Sequence, residues 1–210
     1  MTPVQFITHT IDGISYEQSA LLALQAGCRW VQLRVKGAPD AEVEPLARRL
    51  LAACREHGAV LILDDRVELA KAIGADGVHL GKEDMPVPEA RKLLGLDSEM
   101  LIGGTANTLE DCRRLATQGV DYIGLGPYRF TTTKQRLAPV LGLDGYRSVM
   151  SGLRAQGLTI PVVAIGGIEL SDVCPLLQAG VDGIAVSGSV LRAPDPVQAM
   201  RQLLEADAGL

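Results

Sequence analysis

Eight short apolar runs recur along this 210-residue chain, each followed by a longer segment of helical periodicity, and that alternation limits the fold more than any other feature. The runs are 3–8 (VQFITH), 29–33 (RWVQL), 59–63 (AVLIL), 77–80 (GVHL), 100–104 (MLIGG), 121–125 (DYIGL), 161–165 (PVVAI) and 183–187 (GIAVS). Helices are predicted near 16–26, 40–57, 66–74, 87–94, 108–118, 143–156, 170–179 and 194–206. The clearest is 40–57, where Val43, Leu46, Ala47, Leu50, Leu51 and Cys54 share one face at the helical period. Strands that alternate with helices across short turns make right-handed βαβ units and a parallel sheet.

A faint internal repeat points to closure of that sheet. QAGCRWVQL, AIGADGVHL, TQGVDYIGL and QAGVDGIAV each read as a helix end, a glycine and a buried strand, at steps of about 45 to 60 residues. The glycine supplies the left-handed residue that stops a helix. Two βα units per step predict a single α/β domain over 1–210, a (β/α)8 barrel of eight parallel strands. A dinucleotide-binding sheet would carry G-x-G-x-x-G after its first strand, where ITHTIDG stands instead. With 47% hydrophobic residues but only 3% aromatics, the core must be built from Val, Ile, Leu and Ala.

Composition also narrows the function. A net charge of -5, no basic run and few aromatics argue against a nucleic-acid partner. No segment is long and apolar enough to span a bilayer, and MTPVQFITHT has neither a basic leader nor an apolar stretch of signal length. A cytoplasmic protein with no membrane partner is therefore expected. Cys28, Cys54, Cys112 and Cys174 lie far apart without a CxxC pair and read as packing thiols in a reducing compartment. No Ser-His-Asp order, zinc-ligand spacing or G-x-x-x-x-G-K-[ST] loop occurs. The oligomeric state, a homo-oligomer included, is open at this stage.

Barrel enzymes place their working groups just after the strands. After the second strand, Gln32, Arg34 and Lys36 alternate to one side while Leu33 and Val35 take the other. Two cations and an amide can grip a polyanion; an edge salt-bridge cluster is the alternative. An inward Arg needs a partner, because burying it alone is costly. After the third and fourth strands stand Asp64-Asp65 and Gly81-Lys82-Glu83-Asp84. Carboxylates at neighbouring strand ends can share Mg²⁺, which takes one or two of them plus phosphate oxygens and water. Asp65 alone also reads as a cap for the helix opening at Arg66. After the fifth strand Thr105 offers a hydroxyl, while Thr108 reads as a helix cap.

The loop 126–142 is too long for a plain connection and carries Thr131, Thr132, Thr133 and Lys134, which read as ligands or as a solvated tip. After the last two strands, Ile165-Gly166-Gly167-Ile168 and Ser187-Gly188-Ser189 open helices where barrels usually bind phosphate. Tight turns without a ligand are the alternative there. His79 and Trp30 read as core residues.

On these residues the chain resembles the thiamine phosphate synthase family nearly end to end. The likeness runs through Gln32-x-Arg34-x-Lys36, Asp64-Asp65, Gly81-x-x-Asp84, Gly124-Leu125-Gly126-Pro127, Thr131-x-Thr133-Lys134, Ile165-Gly166-Gly167-Ile168 and Ser187-Gly188. The resemblance implies phosphorylated small-molecule substrates: hydroxymethylpyrimidine diphosphate joined to hydroxyethylthiazole phosphate, with Mg²⁺, giving thiamine phosphate and diphosphate. It assigns Asp65 and Asp84 to the metal. Gln32, Leu33, Arg34, Val35, Lys36, Asp64, Thr105 and Lys134 go to the pyrimidine diphosphate, with Arg34, Lys36 and Lys134 catalytic. Thr131, Thr132, Thr133, Gly167, Ser187 and Gly188 go to the thiazole phosphate. By the same resemblance diphosphate leaves first, and the thiazole nitrogen captures the pyrimidine methylene cation.

The chain departs from the family at three places. Asp64 stands where Asn is usual and Thr105 where Ser is often found; Ser187-Gly188 replaces an apolar residue followed by Ser. Asp64 either tightens Mg²⁺ binding or carries a proton and mimics the amide. Two other functions share this barrel: a thiazole tautomerase, which needs no metal pair or diphosphate grip, and a non-catalytic sensor that keeps only the phosphate site. The presence of Asp65, Asp84, Arg34 and Lys36 favours the synthase.

Overall fold

In the computed structural model, which describes residues 4–130 and 139–208, eight parallel strands close into a barrel in sequence order. They are β1 (Val4–Ile7), β2 (Trp30–Leu33), β3 (Val60–Asp64), β4 (Gly77–Leu80), β5 (Leu101–Ala106), β6 (Tyr122–Leu125), β7 (Val162–Ile165) and β8 (Gly183–Val186). β1 pairs with β8 through Val4↔Ile184, Gln5↔Ala185 and Phe6↔Val186, so the sheet has no free edge. Around it run α1 (Tyr16–Ala26), α2 (Asp40–Glu56), α3 (Val67–Ile73), α4 (Val87–Leu94), α5 (Leu109–Gln118), α6 (Gly142–Arg154), α7 (Val173–Gln178), the single turn α8 (Gly188–Leu191) and α9 (Pro196–Ala208).

The expected elements are all present, with three differences of detail. The segment 170–179 divides into a 3₁₀ turn, Leu170–Asp172, and α7, because Glu169 and Asp172 cap each other's backbone at its start. A one-turn helix, α8, precedes the last long one. β5 continues two residues beyond the expected end at Gly104. Gly103 belongs inside that strand because a Cβ there would overlap the Tyr122 ring and His79 Nδ1. The repeated glycines do stop helices: Gly27, Gly74, Gly119 and Gly180 have φ of 107°, 69°, 79° and 97°. Thr108 caps α5 by accepting from Asp111 N–H at 3.1 Å.

Alternation along the strands makes two cores. The larger lies between barrel and helices and takes Phe6, Val31, Leu61 and Leu63 from the strands. The smaller fills the barrel with Trp30, Ile62, Tyr122, Val163 and Ala185. Trp30 meets Tyr122 edge-on at 4.9 Å between ring centroids, and burying each ring contributes about 2–3 kcal/mol. Two residues further along their strands, Gln32 follows Trp30 and Asp64 follows Ile62 on the inner side, so the barrel turns from apolar to polar toward its C-terminal rim. Cys28, Cys54 and Cys112 are buried packing groups; burial pushes the Cys28 thiol up to about 11 and those of Cys54 and Cys112 to about 12. Among the described residues no helix is long and apolar enough to cross a membrane.

Candidate active site

The rim at β2, β3 and β4 gathers every charged residue expected there. Arg34 is held by its backbone N–H, which donates to the buried Thr8 hydroxyl at 3.0 Å after β1. Its Nε lies 3.3 Å from Asp64 Oδ2, so the inward guanidinium has the partner that burial demands. Lys36 Nζ lies 3.0 Å from the same oxygen and also pairs with Asp65. Leu33 belongs to the outer core and Val35 packs against it, so toward the rim these two offer only backbone.

Asp65 does not cap α3; that helix has no side-chain cap. Its φ of 67° makes it the single non-glycine residue with positive φ among those described, a strained geometry that aspartate tolerates better than most. The Asp65 N–H donates to His79 O at 2.9 Å, which fixes the turn against β4. Asp84 reaches the same place from the next strand, with Oδ2 accepting from Gly81 N–H at 2.6 Å. The carboxyl groups of Asp65 and Asp84 come close enough for each to shift the other's proton affinity.

The electrostatics follow from that contact. Burial, then the hydrogen bond and charge of Asp65, push the Asp84 carboxyl up to about 6. At Asp65 burial acts upward but is outweighed by hydrogen bonds from Asp84 and Lys36, which hold the carboxyl below its ordinary value. At Asp64 burial and the neighbouring charge of Asp65 prevail over Lys36 and Arg34, and the carboxyl is raised. Two carboxyls of opposed proton affinity thus stand beside the Lys36 ammonium group. Among the described residues no cluster of three or more His, Cys, Asp or Glu side chains could hold a metal by itself. An all-oxygen pair is the donor set Mg²⁺ accepts when substrate oxygens and water complete its shell. An open groove of about 340 Å³ lies on the Asp65 side, lined by Lys36, Asp40, Asp65, Arg66 and Met85 among others, while Asp84 lines a separate, smaller cavity with Lys82 and Thr105.

Beneath the rim lies a buried polar relay that the sequence did not disclose. His79 Nε2 is 3.0 Å from Thr105 Oγ1, and His79 Nδ1 is 3.2 Å from Tyr122 OH. Gln5 Nε2 donates to the same phenol at 3.3 Å. His79 is thus a satisfied core residue, as expected, but its partner is the Thr105 hydroxyl expected to face substrate. Only the packing requirement at Gly103 and Gly124, whose added Cβ atoms would press on His79, hints at it in hindsight.

On the opposite side, Gly166 and Gly167 both have positive φ, at 98° and 69°, and Gly167 is exposed at the rim. Ser187 and Gly188 join β8 to α8, and the Ser187 hydroxyl oxygen is buried without a hydrogen-bond partner. The long loop is closed at its neck, where Leu141 N–H donates to Pro127 O at 2.9 Å and Gly142 N–H to Tyr128 O at 3.1 Å. Arg129 anchors that neck to β7 by donating to Gly167 O at 2.8 Å and pairing with Asp172. Thr131, Thr132, Thr133 and Lys134 lie outside the described residues.

Fold and rim together define a single-domain (β/α)8-barrel enzyme with a cationic, carboxylate-bearing face suited to small anionic substrates. Residues 4–190 match the thiamine monophosphate synthase family. The thiamine-phosphate synthase of Bacteroides thetaiotaomicron is 53% identical over 204 residues, 97% of each chain. That of Phocaeicola vulgatus is 53% identical over 201 residues, 96% of each. A solved thiamine phosphate pyrophosphorylase from Pyrococcus furiosus superposes with a TM-score of 0.85 at 35% identity, covering 99% of this chain and 96% of that one. The chain belongs to the thiamine monophosphate synthase family, and its activity is that of a transferase making thiamine phosphate.

Proposed function

We propose that the chain joins hydroxymethylpyrimidine diphosphate to hydroxyethylthiazole phosphate at the C-terminal rim of the barrel, with Mg²⁺ held by Asp65 and Asp84. The observation that carries this reading is the convergence of Asp65 and Asp84, each shifting the other's proton affinity, beside the Lys36 and Arg34 cations paired with Asp64 and Asp65. When bound, the ion supplies positive charge to the oxygens of the departing diphosphate.

The chain's own residues do the rest. Arg34 and Lys36, aligned at one strand end, grip the diphosphate and neutralise the charge that grows as the carbon–oxygen bond breaks. The electron pair leaves with diphosphate, and the thiazole nitrogen supplies the pair for the new carbon–nitrogen bond. Thr105, oriented by His79, and Gln32 face the pyrimidine diphosphate from the barrel interior. Gly167, Ser187 and Gly188, with Thr131, Thr132 and Thr133, take the thiazole phosphate. Lys134 joins the diphosphate side from the long loop. Such a path needs leaving-group stabilisation more than a general base, and the rim is rich in cations. The unpaired cysteines support a cytoplasmic, reducing compartment.

The reading is tested by assaying diphosphate release with each substrate alone and with both, before and after chelation and Mg²⁺ replenishment. Release should require both substrates and Mg²⁺. Equal release after chelation would remove the metal; no release with everything present would remove the reaction.

A further inference from the structure

We propose that Arg192 binds the phosphate group of the thiazole substrate, a role that rests on the reading above and on the missing side chain at Gly188.

Gly188 and Arg192 are four residues apart across α8, so both belong to one face, and helical side chains lean toward the N-terminal turn. The Arg192 guanidinium accordingly lies over Gly188. A Cβ built at position 188 would overlap Nη1 and stand 2.9 Å from Cζ and from Nη2. Any residue but glycine would therefore displace the guanidinium. The volume that a side chain at 188 would take is filled by a planar cation, the group best matched to a phosphate.

Three further observations point the same way. Among the described residues no carboxylate lies within ion-pair distance of Arg192, so its charge is not spent inside the protein. The adjacent Ser187 hydroxyl oxygen is buried and unpartnered. Across the rim, His9 has Arg34 and Arg192 as charged neighbours; burial first, and then those two charges, lower its affinity for a proton. The rim from β8 through β1 to β2 is thus positive at both ends. That suits a reaction in which two mutually repelling anions must be brought together.

The test is a calorimetric titration of wild type, Arg192→Ala and Arg192→Lys with hydroxyethylthiazole phosphate, its unphosphorylated alcohol, and hydroxymethylpyrimidine diphosphate. Arg192→Ala should weaken the thiazole phosphate by roughly tenfold and the other two ligands by less than about twofold, with Lys recovering part of the loss. An unchanged affinity for the thiazole phosphate overturns the assignment. So does an equal loss for the alcohol, a loss confined to the pyrimidine diphosphate, or wild type that fails to bind the thiazole phosphate. A parallel turnover assay keeps the two claims apart: wild type that binds the thiazole phosphate but releases no diphosphate refutes the proposed reaction, whatever Arg192 does.

Discussion

The Asp64 carboxyl, buried at the end of β3, lies 3.0 Å from the Lys36 ammonium that follows β2. It also lies 3.3 Å from Arg34 Nε. Both cations proposed to hold the leaving group are therefore already engaged by an internal carboxyl. On the proposed site, an ionised Asp64 would compete with diphosphate for these cations and speed its departure. Asp64→Asn keeps the shape and removes the competitor, so the product-inhibition constant for diphosphate should fall by about three- to tenfold. An unchanged constant would mean that Asp64 carries a proton and already behaves as an amide.

On the proposed metal assignment, Mg²⁺ at Asp65 and Asp84 would compete with a proton. Because the folded Asp84 carboxyl titrates at about 6, above its ordinary value of 3.8, the fold favours the protonated form. Metal-free stability should therefore decline as the pH rises from about 4 to about 6, then level off. Mg²⁺ replaces that proton, so the rise in Tm it causes should be clearly larger at about pH 7.5 than at about pH 5. An equal rise at both values contradicts the assignment of the pair.

His79 should matter to stability and to Thr105 together. His79→Leu removes the partner of the Thr105 hydroxyl and one partner of Tyr122 OH inside the barrel. A loss of about 1–3 kcal/mol in unfolding free energy is expected, read as a lower urea midpoint at constant slope. A midpoint equal to wild type would show that the relay contributes nothing.

The family resemblance assigns Lys134 to the pyrimidine diphosphate and its leaving group. Lys134→Ala should lower kcat by well over tenfold while changing the Kd for thiazole phosphate by less than about threefold. The reverse pattern would make it a binding residue only.

The barrel was readable because helix-stopping glycines and buried runs recur at a regular step; each such signal is local. That Asp65 and Asp84 would come close together was readable for a related reason. Asp65 and Asp84 end neighbouring strands, and closure of a parallel barrel brings neighbouring strand ends together. What the sequence concealed depends on contacts between strands: Thr8 fixing Arg34 across β1 and β2, and Tyr122 meeting His79 across Gly103. The early end assigned to β5 has the same origin. The strand was expected to end at Gly104, whereas it continues to Ala106, its glycines leaving room for His79, Tyr122 and Leu115. Arg192 gave no signal until α8 folded it back over Gly188.

The claim on which the rest depends is that the carboxyls at 65 and 84 hold one divalent ion for the leaving diphosphate. Diphosphate release by Asp84→Ala, compared with wild type across a Mg²⁺ titration, addresses it directly. The account predicts a loss of at least about a hundredfold that no Mg²⁺ concentration restores, with the fold intact by thermal melting. Turnover near the wild-type rate, with the same dependence on Mg²⁺, would contradict it.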